Sequence, residues 1–281
     1  MTRPVPPLFD RSALVSKRAR AARLKGEAFL AREAAEGLAY RLGAVNRTFQ
    51  QALDVDSHTQ AQDILKPFAQ GWDHATIGPD ETIPVEPGKY DLAVSVLSLH
   101  AVNDLPGLLV QIRRALKPDG LFVAALFAGS TLTELRQSFL TAESEITGGT
   151  SPRVSPFADI RDLGSLLQRA GFALPVSDLE RTIVRYRDLR GLVADLRTMA
   201  DTNILAERRR GFMSSRLLAA MAASYAENFS DPDGRLRATF EIAYLTGWSP
   251  HESQQQPLKP GSAKTRLADA LGAAEIPLKR D

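Results

Sequence analysis

Two apolar runs separated by a helix-length stretch constrain this chain more than any other feature. YDLAVSVLSLH (90–100) and LFVAALF (121–127) are nearly uninterrupted and short enough to be strands rather than helices. A strand with one wet face alternates apolar and polar residues. A continuous run belongs in a parallel sheet covered on both faces. Between the runs, Leu105, Leu108, Leu109, Ile112 and Leu116 recur at helical spacing, and KPDG (117–120) reads as a turn. Strand, helix and parallel strand make a βαβ unit, so the chain is expected to be α/β.

The alternation extends in both directions. Residues 17–43, rich in Ala, Arg, Leu and Glu, read as one long helix ending near Gly43. Residues 48–55 read as a strand, 60–68 as a helix limited by Pro67, and 71–89 as loop with one short strand at 74–77. Helices are expected at 131–145 and 162–170, the second ended by Gly171. Residues 172–176 and 182–186 read as strands, 189–200 and 212–227 as helices, and 238–248 as the last strand. A short helix is expected near 265–272. The sum is a mainly parallel sheet of seven strands, the last antiparallel beside the fifth. Three regions follow: a basic helical extension (1–43), an α/β domain (44–250) with an inserted helical lid at about 189–228, and a polar tail (251–281).

Composition removes several functions. The chain has 281 residues, no cysteine, four histidines and a formal net charge of +2. Without cysteine there is no disulfide, zinc ribbon or thiol nucleophile. His58, His74, His100 and His251 lie far apart with no HExxH pairing, so no metal site is expected. Near-neutral charge gives no general reason to bind nucleic acid, and no apolar run approaches the roughly 18 residues of a membrane span. The amino end is locally basic: Arg3, Arg11, Lys17, Arg18, Arg20, Arg23 and Lys25 are opposed only by Asp10. Three readings stand: a presequence, a solvated basic helix, or a docking face for an acidic partner or an anionic membrane surface. The helical pattern continuing through Leu30, Ala34 and Leu38 speaks against the presequence.

The stretch ALDVDSHTQ (52–60) begins as the first strand of a nucleotide-binding domain and then supplies no glycine before Gly71. Glycine is needed where backbone must approach a ligand closely. The 90–127 block, with LLQRAGF and the late strand, resembles the carboxyl half of a class I S-adenosylmethionine-dependent methyltransferase, a Rossmann-like fold. More narrowly, LFDRSALVSKRARAAR, LSLHAVNDLP, FAGSTLTELR, GGTSPRVSPF and TGWSPHESQQQP are similar to the mitochondrial respiratory complex I assembly factor 5 group. That group is related to the malonyl-carrier-protein methyltransferases of biotin synthesis. Its assigned activity is arginine hydroxylation on a complex I subunit.

The resemblance implies S-adenosylmethionine as cofactor, bound by a Gly-x-Gly loop after ALD and by an acidic residue at the end of the second strand. Here Asp56, Ser57 and His58 occupy the loop, the interval to Tyr90 is shortened, and only Asp80 or Glu81 could meet the ribose. Weakened or lost cofactor binding is therefore expected, in a pseudoenzyme or assembly protein with a protein partner such as a complex I subunit. The alternative is an active methyltransferase or arginine hydroxylase with an atypical loop. A bacterial cytoplasmic location is expected, with the mitochondrial matrix as alternative.

Cofactor contacts are expected from Asp54, Asp56, Ser98, Leu99 and His100, and substrate or partner contacts from Thr202, Asn203, Trp248 and His251. Asp54 reads equally as a helix cap, His100 as a helix-entry hydrogen bond or a base, and Asn103 with Asp104 as a cap. Trp248 reads also as packing, and His251–Glu252 as a surface turn. No catalytic residue is singled out.

Overall fold

The two apolar runs lie side by side inside a six-stranded sheet. The computed structural model describes residues 6–24, 26–255 and 272. Its strands are β1 (Phe49–Val55), β2 (Ala69–Ala75), β3 (Tyr90–Val96), β4 (Leu116–Phe127), β5 (Ala173–Tyr186) and β6 (Leu236–Trp248). They are ordered β2-β1-β3-β4-β6-β5. β1 is parallel to β2 and β3, and β3 to β4, whereas β6 is antiparallel to β4 and β5. The helices are α1 (Arg11–Ala21), α2 (Phe29–Gly43), α3 (Gln62–Leu65), α4 (Leu105–Ala115), α5 (Thr133–Thr147), α6 (Ile160–Arg169), α7 (Leu189–Thr198) and α8 (Ser215–Phe229). All of these belong to one unit ending at Pro250; His251 opens a second.

Continuous apolarity in β3 and β4 reflects two cores. Leu92, Val94, Val96, Leu121, Val123 and Phe127 pack on one face with α2, α5 and α8. Tyr90, Ala93, Phe122, Ala124 and Leu126 pack on the other with α4 and α6. Each large side chain taken fully out of water contributes about 1.5–3 kcal/mol. The three-layer arrangement is what lets both halves of the period-two pattern be apolar. β1, β3 and β4 hold inner positions of the sheet, as their sequences require.

The elements differ from expectation at five places, the first being that the strand expected at 74–77 is the longer β2 at Ala69–Ala75. The helix expected at 17–43 is two helices, because the chain turns at 22–24 and Gly26 passes against the end of α7; a Cβ there would meet Thr198 Oγ1 at 2.6 Å. Residues 60–68 form only α3 flanked by single 3-10 turns, with Pro67 in the second. KPDG does not end an element: it forms an irregularity within β4, with Asp119 at φ 62° and a register shift opposite Tyr90/Leu92. The two short strands expected over 172–186 are one 14-residue strand, β5, bulged between Ala173 and Val176, which is why the sheet has six strands rather than seven. The helix expected near 265–272 lies outside the described residues.

Of the inserted pair, α7 and the loop after it lie over the carboxyl ends of the parallel strands: Leu196 shares a cavity with His100, and Thr198 shares a cleft with Asp54. α8 packs on α5 and β6. Among the described residues no helix is long and apolar enough to cross a membrane.

Alanine at Gly37 tests the tightest helix–sheet contact. Its Cβ would stand 2.3 Å from Tyr244 Oη, and Tyr244 is buried beneath the Arg41 guanidinium, 3.7 Å from the ring centroid. Alanine favours a helix interior by up to about 1 kcal/mol over glycine, but overpacking costs about 1–3 kcal/mol. Gly37→Ala is expected to lower the urea-unfolding free energy by roughly 1–2 kcal/mol, against the rise that propensity alone would give.

Candidate functional site

The carboxyl end of β1 is closed by side chains. Asp54, 3% exposed, accepts hydrogen bonds from the Ser57 N–H at 3.1 Å and Gln62 Nε2 at 2.9 Å, and lies 2.9 Å from His74 Nδ1. Ser57 Oγ accepts the Val96 N–H at 3.0 Å, and the His58 N–H donates to the Val96 carbonyl at 3.0 Å. The turn is thereby stitched to β3. Asp56 has φ 55°, the left-handed region that suits glycine and that Asp tolerates better than most residues. So the backbone keeps a glycine conformation without the glycine. Its N–H donates to the Ala75 carbonyl at 2.9 Å.

The Asp56 carboxylate meets the amino-terminal helix. Arg18 Nη1 lies 2.6 Å from Oδ2 and Arg11 Nη2 4.0 Å away, with the Asp56 side chain 8% exposed. Arg11 is buried, donating to the carbonyls of Ala101 at 3.2 Å and Ile77 at 3.0 Å, and burial pushes its pKa down. Lys17 Nζ donates to Thr202 Oγ1 at 2.6 Å and the Asn203 carbonyl at 2.7 Å. Burial, reinforced by Arg208 and Arg20, lowers its pKa from the ordinary 10.5 to about 8. Asp10 caps α1 and pairs with Arg208 at 2.9 Å; Ser12, the Ala13 N–H and Arg208 hold its carboxyl well below the usual range. Arg11, Lys17 and Arg18 therefore turn inward, making α1 a strap across the carboxyl ends.

Under this strap lies a cleft of about 360 Å³, lined by Arg18, Asp54, Asp56, His58, His74 and Gln62 among others. Burial pushes the His58 pKa down. Beside it, His100 Nε2 lies 2.9 Å from Asp201 Oδ1, with side-chain exposures of 7% and 16%. Among the described residues, His100 Nδ1, Asp201 Oδ2 and Ser98 Oγ are buried without a hydrogen-bond partner. Among those residues too, no cluster of His, Cys, Asp and Glu could hold a metal ion.

Asp54 and Asp56 come together in the cleft, while His100 and Thr202 line the neighbouring cavity. Leu99 is fully buried in the core under α4 and reaches neither. Asn203 Oδ1 accepts the Leu205 N–H at 3.0 Å and its Nδ2 donates to the Pro152 carbonyl at 2.8 Å. Trp248 pairs in register with Leu121 and Ala173, on the sheet rim opposite His100, and lies 5.8 Å from the Arg47 guanidinium. His251 is exposed, its Nδ1 2.7 Å from Ser253 Oγ. Neither candidate for the ribose serves: Asp80 is exposed and bonded to Thr82, and Glu81 caps the turn at Asn103 and Asp104 with both carboxylate oxygens. Arg11, Arg18 and Asp201 are site residues that the sequence reading passed over. Asp201 adjoins Thr202 directly, so an acid at a lid tip was a usable signal.

The Asp56 N–H is thus taken by the Ala75 carbonyl, and its carboxylate faces Arg18 within the cleft.

Two measurements test the strap. Arg18→Ala leaves Asp56 buried with only a distant cation, and is expected to cost about 1–3 kcal/mol in urea unfolding, with the penalty much reduced in an Asp56→Asn background. For Lys17 the unfolded chain holds its proton to about pH 10.5 and the native chain to about 8. Between those values the unfolded state binds more protons, so stability rises with pH. The stability difference between wild type and Lys17→Met is expected to move in favour of wild type from pH 8 to 10.5; a flat difference would refute the buried-ammonium assignment.

Comparison with known proteins agrees with this architecture. Residues 8–175 match the methyltransferase-domain family. The chain is 36% identical to the mitochondrial arginine-hydroxylase NDUFAF5 of Danio rerio over 86% of this chain and 81% of that protein. It is 44% identical to the Homo sapiens protein over 69% of this chain and 56% of that one, so this second match spans about half the relative's length. A protein of Bacillus halodurans C-125 assigned as a methyltransferase superposes with TM-score 0.51 at 13% identity, over 76% of this chain and 98% of that one, which bears on fold alone. The chain belongs to the methyltransferase-domain family and is a member of the NDUFAF5 group within it.

Proposed function

We propose that the chain is a methyltransferase-fold protein of the complex I assembly factor type. It acts on or with a respiratory-chain subunit, with weakened or lost S-adenosylmethionine binding. The observation that carries the reading is the 2.6 Å contact of Arg18 with Asp56 inside the cleft. A ligand carboxylate entering there would compete with Asp56 for Arg18 and repel Asp56. Two such charges close together cost on the order of a few kcal/mol, or about two decades of affinity. β2 ends at Ala75 with no free acid for a ribose.

The retained parts support a protein partner. The strap, the loop bearing Thr202 and Asn203, and the sheet beneath them are fully built. Trp248, on the sheet rim opposite His100, and His251 are proposed for partner contact rather than for cofactor. The bacterial cytoplasm is the proposed location, with the matrix as alternative, since the relatives are named as mitochondrial.

A second reading, an active methyltransferase or arginine hydroxylase with an atypical loop, is favoured by the cleft itself, still open at about 360 Å³ and still holding a cation at Arg18. Calorimetry with S-adenosylmethionine separates the two. No measurable heat is expected from the wild type. The Asp56→Gly/His58→Gly variant is expected to recover binding, because it removes the carboxylate and relieves the left-handed backbone together. Micromolar binding by the wild type would return the chain to the active enzymes.

A further inference from the structure

We propose that β2 is the interface of a two-fold homodimer. It pairs antiparallel with β2 of a second copy, so that one sheet runs through both chains.

β2 is one edge of the sheet. The Ala75 carbonyl accepts the Asp56 N–H at 2.9 Å, so in this parallel ladder the backbone groups of Gly71, Asp73 and Ala75 point at β1. Those of Gln70, Trp72 and His74 point outward, and no described residue bonds to them. A bare edge is a template for another strand. The opposite edge shows how this chain guards one: β5 carries Pro175, Asp178, Glu180, Arg181 and Arg185. β2 has no proline, lysine, arginine or glutamate. Its acid, Asp73, is held on the face of the sheet by Tyr90 Oη at 3.0 Å and Lys89 Nζ at 2.8 Å, and His74 is drawn to Asp54 at 2.9 Å.

The occupant is a second copy because the edge is complementary to itself. In an antiparallel pair, facing residues exchange both N–H···O bonds or neither. Within β2, a two-fold axis through Trp72 sets every outward residue against another outward residue. Trp72 then faces the partner's Trp72, and Gln70 faces the partner's His74. These side chains share one face of the sheet, so two indoles meet at the axis, flanked on each side by an amide and an imidazole. On the other face Gly71 lies opposite the partner's Asp73, and no like charges are opposed. Trp72 is half-buried, its Nε1 donating to the Lys66 carbonyl at 3.1 Å, and it lines a cavity of about 180 Å³ with Leu65 and Lys66. That leaves ring surface and room for the opposing indole in an offset or edge-to-face pair.

The chain has no cysteine, so single cysteines report on the axis directly. The full-length wild type is expected to sediment as a dimer at micromolar concentration. With a short bismaleimide, Trp72→Cys is expected to cross-link to itself. Gln70→Cys and His74→Cys are expected to stay uncross-linked alone and to join each other when mixed. Gln70→Pro removes an outward N–H and no bond to β1, and is expected to weaken the dimer tenfold or more with an unchanged far-ultraviolet circular dichroism spectrum. Self-cross-linking of all three cysteine variants would mean parallel pairing and would overturn the proposal. So would a wild type that sediments as a monomer, which would leave the edge to a strand of a different protein. A dimer that Gln70→Pro leaves equally tight would do the same. If Gln70→Pro does not fold, the cysteine pairs decide alone.

Discussion

The architecture of this molecule turns on how the carboxyl end of β1 is satisfied. A strand that stops inside a covered sheet leaves backbone groups that must find partners. Here a buried carboxylate at Asp54 and a hydroxyl at Ser57 supply them internally, tying the turn to β3 through the Val96 amide. Burying Asp54 would be costly alone; Ser57, Gln62 and His74 around it offset that cost. Once the turn is fixed, Asp56 is set in a left-handed conformation with its carboxylate toward α1, and the strap has something to hold.

The strap in turn organises the loop after α7. Arg18 anchors on the β1 turn, Arg11 on the carbonyls after β2 and β3, and Lys17 on Thr202 and Asn203. Three cations on one short helix thus connect segments that the sheet leaves apart. The rim at the end of β1 is held by ion pairs and hydrogen bonds, while the half around β4 and α4 is held by apolar packing.

The sequence made the central layers legible because burial on two faces leaves a mark that a single chain displays: unbroken apolar runs at 90–100 and 121–127. The interior position of β1, β3 and β4 follows from those runs. The length of β5 was hidden, since an edge strand with charged residues such as Glu180 and Arg181 has no obligatory pattern. The break between α1 and α2 was hidden too. It depends on Gly26 meeting Thr198, a contact between positions with no sequence relation. At the site, missing glycines could be read directly, but their replacement could not. That Arg18 among seven basic residues should find Asp56 is decided by the path of the backbone, not by composition. Asp201, next to the lid residue Thr202, is readable as a candidate acid, but its pairing with His100 depends on the fold.

The strap also bears on the order in which the molecule can be assembled. Asp10 pairs with Arg208 at a sequence separation of 198, and Lys17 with Thr202 at 185. Contacts of such span close late, after the loop-closure entropy between them has been overcome by nearer contacts. During synthesis the amino end emerges first, yet its partners emerge only after β5 and α7 are complete. Until then Lys17 lacks its oxygen partners on Thr202 and Asn203, Asp10 lacks Arg208, and the carboxyl rim of the nascent sheet is uncovered on that side. A nascent chain of this fold is therefore most exposed to chaperones during the interval before residue 208 appears.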